Sequence, residues 1–210
     1  MVLPSVRGRT TRIKSLYSDE EIGAVLDAID RDTDIGKRDY AMILLGSVTA
    51  LRALDVIRFK VADIDWEHSR IAIVLHKGKR LHTVALVPQV GNALLDYLLN
   101  ARPEADCPYL FLRTRKPYKE LSESAVCAGI LRKRMGKAGI DPTGRASGFH
   151  VFRVRAASKL LAAGTPLANI SGFLGHKNPK SIKSYLTVDE KNMRSCCLPF
   201  TGIEVKGVTR

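Results

Sequence analysis

Between Lys37 and Thr49 the chain is apolar on nearly every side. Tyr40, Ala41, Met42, Ile43, Leu44, Leu45 and Val48 leave no continuous polar stripe. A helix of this kind has no face to offer water, so it must lie inside a folded body and be covered by other elements. The neighbours that cover it can be read on either side. Ser18-Asp19-Glu20-Glu21 has the form of a capping box, with Ser18 capping a helix and Glu21 reaching back. Ile22, Val25, Leu26 and Ile29 then recur at helical spacing. Asp30 to Gly36 is a polar break. Leu51 to Phe59 continues as a further helical segment whose stripe is Leu51, Leu54, Val56 and Ile57, with Arg52 and Asp55 off it.

The period then changes. Arg70–Leu75 and Leu81–Val87 are β-rich runs joined by His76-Lys77-Gly78-Lys79-Arg80, which predicts a β-hairpin with a very basic tip. Val61–Ile64 is a candidate third strand. Pro88 is placed as the first residue of a helix that buries Leu94, Leu95, Leu98 and Leu99. Ala101–Pro108 is a loop, and Tyr109–Leu112 a candidate short strand. A helix from Ser122 ends at Gly139, and Asp141–Gly148 is a loop. His150–Ala163 is helical with Gly164 as terminator. Thr165-Pro166 caps the next helix, which ends at Leu174-Gly175, and Asn178-Pro179 starts a short helix carrying Tyr185. After Asp189 the pattern fades, with Ile203, Val205 and Val208 as a terminal strand or tail.

Apolar residues make up 45% of the 210-residue chain, enough for a folded core. Lys and Arg outnumber Asp and Glu by 34 to 21, giving a net charge of +13 and a pI near 9.8. An excess of that size points to a polyanionic partner, most often nucleic acid. Residues 113–137 carry eight Lys or Arg against Glu120 and Glu123, which reads as a face that tracks phosphates. Cys107, Cys127, Cys196 and Cys197 form no CxxC pair, so free thiols in a reduced compartment are expected, and neither a zinc site nor a disulfide framework is indicated. Asp63 and Asp65 read as loop and strand-end residues, not metal ligands. Cys196 and Cys197 read as packing or tail residues. No apolar run approaches the roughly 18 residues of a membrane span, and the N-terminus lacks a signal-peptide pattern.

Breaking a phosphodiester with side chains alone requires cations that hold the nonbridging oxygens, a nucleophile, and an acid that protonates the departing sugar oxygen. Arginine suits the first task because its planar fork binds phosphate in bidentate fashion and stays charged. A tyrosine, with an ordinary pKa of about 10, needs a base or a cationic surrounding to attack near neutral pH. Five boxes in this chain hold such groups in order: Thr49-Ala-Leu-Arg52-Ala-Leu-Asp55, His76-Lys77-Gly78-Lys79, His150-Val-Phe-Arg153, Leu174-Gly175-His176, and Tyr185. Together they resemble the TGLR, GKG, HxxR, LGH and nucleophile boxes of the tyrosine recombinases, the phage integrase family, across roughly residues 18 to 190. Three positions depart from the family pattern. Ala50 stands for glycine, Asp55 for glutamate, and Val154 for the histidine common after the second arginine.

The resemblance implies an α+β, mainly α-helical catalytic domain with a small antiparallel sheet at one edge. It implies that Arg52 and Arg153 clamp the phosphate, Lys77 is the general acid, His150 and His176 assist, and Tyr185 attacks to form a 3′-phosphotyrosyl link. Lys79 is the alternative acid if the turn register differs. The chemistry needs no metal or cofactor. The expected partner is double-stranded DNA at a specific recombination site, bound by a homotetramer on two sites that associates weakly or is monomeric without DNA. Residues 1–17 are expected to be a linker remnant, 18–190 the catalytic domain, and 191–210 a tail that packs in trans. The family's N-terminal core-binding domain is expected to be missing from this chain. The setting expected is the cytoplasm, with a bacterial, phage or mobile-element gene as source. The competing functions are a tyrosine topoisomerase and a non-catalytic DNA-binding module of the same fold.

Overall fold

The computed structural model describes residues 16–145 and 148–176; the helix expected to carry Tyr185, the tail, and the terminal strand lie outside them. Helix α1 (Asp19–Asp27) opens with the capping box intact, Ser18 accepting from the Glu21 N–H and Glu21 accepting from the Ser18 N–H. Helix α2 (Asp34–Thr49) is the buried helix, and Ala41 to Leu45 are all in the core. Fully burying each of its large aliphatic side chains is worth about 2 kcal/mol. It starts three residues before the expected position because the Thr33 hydroxyl accepts from the Gly36 N–H, so a cap turns part of the polar break into helix.

The Leu51–Phe59 segment is helical only over Ala53–Ile57 (α3), with Arg52 extended at its N-cap. A 3₁₀ turn at Val61–Asp63 leads into β1 (Ile64–Asp65), so the third strand exists but begins where the prediction ended. Strands β2 (Arg70–Val74) and β3 (Leu81–Ala85) pair antiparallel, Ile73 opposite His82 and Val74 opposite Leu81, and β1 adds to the β2 edge. The Asp63 and Asp65 carboxylates bond locally: Asp63 accepts from the Lys60 N–H, and Asp65 pairs with His68 and Arg70.

Helix α4 (Pro88–Asn100) begins at its proline as expected but turns a different face inward. Val90, Leu94 and Tyr97 are buried, whereas Leu95 and Leu99 are 40% and 70% exposed. At about 100° per residue the four leucines at 94, 95, 98 and 99 span an arc of about 140°, and the buried face is centred to one side of it, leaving Leu95 and Leu99 at the far edge. The stripe at i, i+4 and i+7 from Val90 prevails because it lies against α2, the most extensive helix pairing in the fold. Tyr109–Leu112 is not a strand; Tyr109 and Leu112 make single bridges to Lys60 and Glu120, and Leu110, Phe111 and Leu112 are fully buried.

Helices α5 (Ser124–Lys137), α6 (His150–Ala162) and α7 (Leu167–Phe173) complete the described fold. Helix α7 starts one residue later than expected, with Pro166 and not Thr165 at the cap. Gly46 brings α6 close to α2: a Cβ there would meet the Phe149 ring at 2.9 Å and Phe152 at 3.2 Å. Arg134, one of the cations assigned to the phosphate-tracking face, is 4% exposed and chelates Asp39 through Nε and NH2, at 2.9 and 2.6 Å. Arg38 holds the other Asp39 oxygen, so this buried carboxylate answers two guanidinium groups. The remaining seven cations of 113–137 are exposed. Tyr17, at the end of the stretch expected to be linker, is 2% exposed and lies under the Arg145 guanidinium, 3.9 Å from its ring centre.

Candidate active site

Arg153 is the centre of the site. It projects from the first turn of α6, is 3% exposed, and is held by two backbone carbonyls: NH1 donates to Ala50 at 2.6 Å and NH2 to Leu174 at 2.8 Å. One side chain thereby joins the end of α2 to the end of α7, bringing the Thr49–Asp55, His150–Arg153 and Leu174–His176 boxes together. NH2 also lies 3.1 Å from His176 Nε2. Arginine has no acceptor, so Nε2 must accept; His176 is neutral with its proton on Nδ1. Electrostatics agree. Burial first, then the charges of Arg153, Arg52, Arg80 and Lys77, push the His176 pKa down to about 4. His150, at the first position of α6, is lowered by desolvation and then by Arg153 and Arg52.

Ala50 ends α2 in the left-handed conformation, φ 52° and ψ 26°. Glycine fits this conformation without strain, which accounts physically for the family's glycine there. Here the alanine methyl is fully buried with Ala157, Ile170 and Leu174, so packing offsets part of the backbone cost.

Arg52 stands at the N-cap of α3 with its side chain 26% exposed. Its NH1 is buried and has no hydrogen-bond partner among the described residues; the nearest carboxylate oxygen, Asp55 Oδ2, is 3.9 Å away. Asp55, predicted to lie off the buried stripe, is 1% exposed. Its Oδ1 accepts from the His76 N–H at 2.7 Å, fastening the hairpin tip to the Arg52 segment. This partly buried bond to a backbone donor from the hairpin accounts for a carboxylate in an otherwise apolar position.

The hairpin closes with the Leu75 N–H donating to the Arg80 carbonyl at 3.0 Å, and Gly78 and Lys79 both adopt positive φ. Lys77 is exposed at the tip. Of the two lysines, only Lys77 is among the charges that act on His176, together with Arg80 on the same hairpin. Gly175 has φ +61°, and a Cβ there would meet Leu75 Cδ1 at 2.7 Å, so the turn before His176 abuts the hairpin.

Six residues were singled out from sequence. Arg52, Lys77, His150, Arg153 and His176 are drawn together here; Tyr185 lies outside the described residues. One neighbour escaped sequence reading. His82, on β3, sits 3.5 Å from the Cβ position of Gly175. Period-2 alternation carried the signal, because His82 shares a face with the buried Val84. Among the described residues, no cluster of His, Cys, Asp or Glu could hold a metal ion, and no helix is long and apolar enough to cross a membrane.

Residues 15–192 match the family model described as the phage integrase family. A Sinorhizobium fredii protein bearing an integrase/recombinase name, y4gC, is 34% identical over 91% of this chain and 98% of its own length. A second from the same organism, y4rF, also 34% identical, is matched over 87% of this chain but only 43% of its own, so this chain spans less than half of that relative. Among solved structures, XerH site-specific recombinase bound to its palindromic difH substrate, in a post-cleavage complex, superposes with a TM-score of 0.73 at 18% identity. That match covers 91% of this chain and 54% of XerH.

Proposed function

Since the chain belongs to the phage integrase family, we propose that it breaks and rejoins DNA strands at a specific site by transesterification through Tyr185. The observation that carries this reading is Arg153: one buried guanidinium, bonded to the Ala50 and Leu174 carbonyls and to His176, gathers three separate motif boxes. Arg52 and Arg153 hold the nonbridging oxygens of the scissile phosphate, where negative charge builds in the transition state. The Tyr185 oxygen attacks phosphorus, and the neutral imidazole of His150 takes the phenolic proton, while His176, whose Nε2 is engaged by Arg153, holds a nonbridging oxygen through Nδ1–H. The bond to the 5′ oxygen breaks, and Lys77 gives that oxygen its proton. The products are a 3′-phosphotyrosyl ester and a free 5′-hydroxyl. A 5′-hydroxyl from a partner strand then reverses the step, and the ester conserves the bond energy.

Residues 18–190 form the catalytic unit in this reading, with 191–210 as a tail that packs on a neighbour. The acting species is a homotetramer on two duplex sites, working in the cytoplasm. The net charge of +13 and the seven exposed cations of residues 113–137 support a DNA partner.

The test uses a pool of nicked suicide duplexes randomised around the nick, from which the wild-type chain should recover a covalent adduct. Tyr185→Phe should recover none. No adduct with the wild type overturns the proposed function, and an adduct that persists in the Phe variant overturns the assignment of the nucleophile.

A further inference from the structure

The hairpin that carries Lys77 touches the rest of the site at a small number of points. One is the Asp55–His76 bond at the tip. The other is formed by the inward face of the two strands. Leu75 and His82 lie against the turn that presents His176, with Leu75 Cδ1 2.7 Å and the His82 ring 3.5 to 3.6 Å from the Gly175 Cβ position. His82 is half-buried, and burial lowers its pKa; the backbone carbonyl of Phe173, at the end of α7, acts on it in the opposite sense as a nearby acceptor. Arg80 and Arg153 act on it as neighbouring positive charges, and Asp55 as a negative one. It therefore stands where the hairpin, α3, α6 and α7 meet, yet the proposed chemistry gives it no role.

We propose that His82 is a positioning residue: its ring, set on Gly175 and facing the Phe173 carbonyl, docks the hairpin on the 173–176 turn and so fixes where Lys77 delivers its proton. The inference rests on Lys77 being the general acid. The physical case is one of leverage. His82 pairs with Ile73 across the sheet, and Lys77 lies at the loop those strands support. The base of the strand pair is fixed by β1 and by Ile71, Ile73 and Val84 in the core, but the loop beyond it can still shift, and an ångström of displacement of a proton donor is enough to cost as much as a hundredfold in rate. The His82 ring, packed on the Gly175 turn beside a helix-end carbonyl, gives the hairpin a second anchor.

The experiment measures single-turnover cleavage of a duplex recovered by covalent capture, made with either oxygen or sulfur at the bridging 5′ position. A sulfur leaving group needs no acid. His82→Ala should slow cleavage of the oxygen substrate by about ten- to a hundredfold and leave the sulfur substrate within about twofold of wild type. His82→Gln, which restores an N–H donor of similar reach, should recover most of the oxygen rate. Equal slowing on both substrates, wild-type rates in His82→Ala, or a Gln variant as slow as Ala overturns the inference. Lys77→Ala is run beside them. If it too slows both substrates equally, the general-acid assignment fails; if sulfur rescues Lys77→Ala but not His82→Ala, only the positioning role fails.

Discussion

Asp55 offers a direct test of how the two halves of the site are joined. Replacing it with alanine removes a 1%-exposed carboxylate that accepts from the His76 N–H at 2.7 Å and faces Arg52 NH1 at 3.9 Å. A hydrogen bond to a charged acceptor contributes about 1.5–3 kcal/mol, and here the N–H is left without its partner. The Arg52 contact is longer than a hydrogen bond and partly open to solvent, so its loss adds at most about 1 kcal/mol. The total expected for Asp55→Ala is about 2–4 kcal/mol. With a urea slope of about 2 kcal/mol/M, the midpoint should fall by about 1–2 M. Asp55→Asn keeps an oxygen for the His76 N–H and loses only the charge, so it should cost about 1 kcal/mol. In suicide-substrate cleavage the Ala variant should be about a hundredfold slower and the Asn variant nearer wild type, because only the former frees the hairpin tip. If the two variants match in stability within about 0.5 kcal/mol, the His76 bond is not what Asp55 contributes, and the account of the hairpin anchor is refuted.

Gly175→Ala should lose about 1–3 kcal/mol in urea melts, from positive φ and the 2.7 Å approach to Leu75, and should slow cleavage as well; an unchanged rate would separate the turn from catalysis. Glu21, held by Arg145 at 2.5 Å and by the Ser18 cap, has its pKa lowered to about 2 from 4.5. A depressed carboxylate stabilises the fold above its unfolded pKa and ceases to as pH falls. The contribution, on the order of 1 kcal/mol for a pair still open to solvent, should therefore disappear between about pH 5 and pH 2. Glu21→Gln should flatten that part of the stability–pH curve, and a curve that superposes on wild type would exclude the pair as its source. Replacing Arg132, Lys133 and Lys137 with alanine should reduce the slope of log affinity against log salt by about 2–3, as measured by DNA titration at several ionic strengths; an unaltered slope would remove α5 from the DNA face.

Much of the helical framework was legible in the sequence because its signals are local. The Ser18–Glu21 box, the all-apolar run of α2, the Pro88 start of α4 and the hairpin around Gly78 each depend on residues within a few positions of one another. The site residues were legible for another reason: their order and spacing resemble a family pattern, whereas charge and periodicity would not have picked Arg52 from 34 cations. The misreadings share one cause. Asp55 and Arg134 are polar residues whose partners, His76 and Asp39, are 21 and 95 positions away, so no local window shows that burial is compensated. Leu95 and Leu99 failed in the opposite sense, since which of two apolar faces is buried depends on the helix that packs there.

What the sequence determined by itself was thus the inventory: which segments are helix or strand, the order of the motif boxes, and a chain basic enough to seek a polyanion. What tertiary structure decided was their convergence. Arg153 reaches Ala50, 103 positions upstream, and Leu174, 21 positions downstream, because Gly46 admits α6 against α2 and α7 folds back over it. It also fixed the protonation of His176, whose lowered pKa comes from burial beside cations drawn from three separate segments. Hydrogen bonds and desolvation act through space, and a linear pattern carries only the residues that will meet, not the meeting.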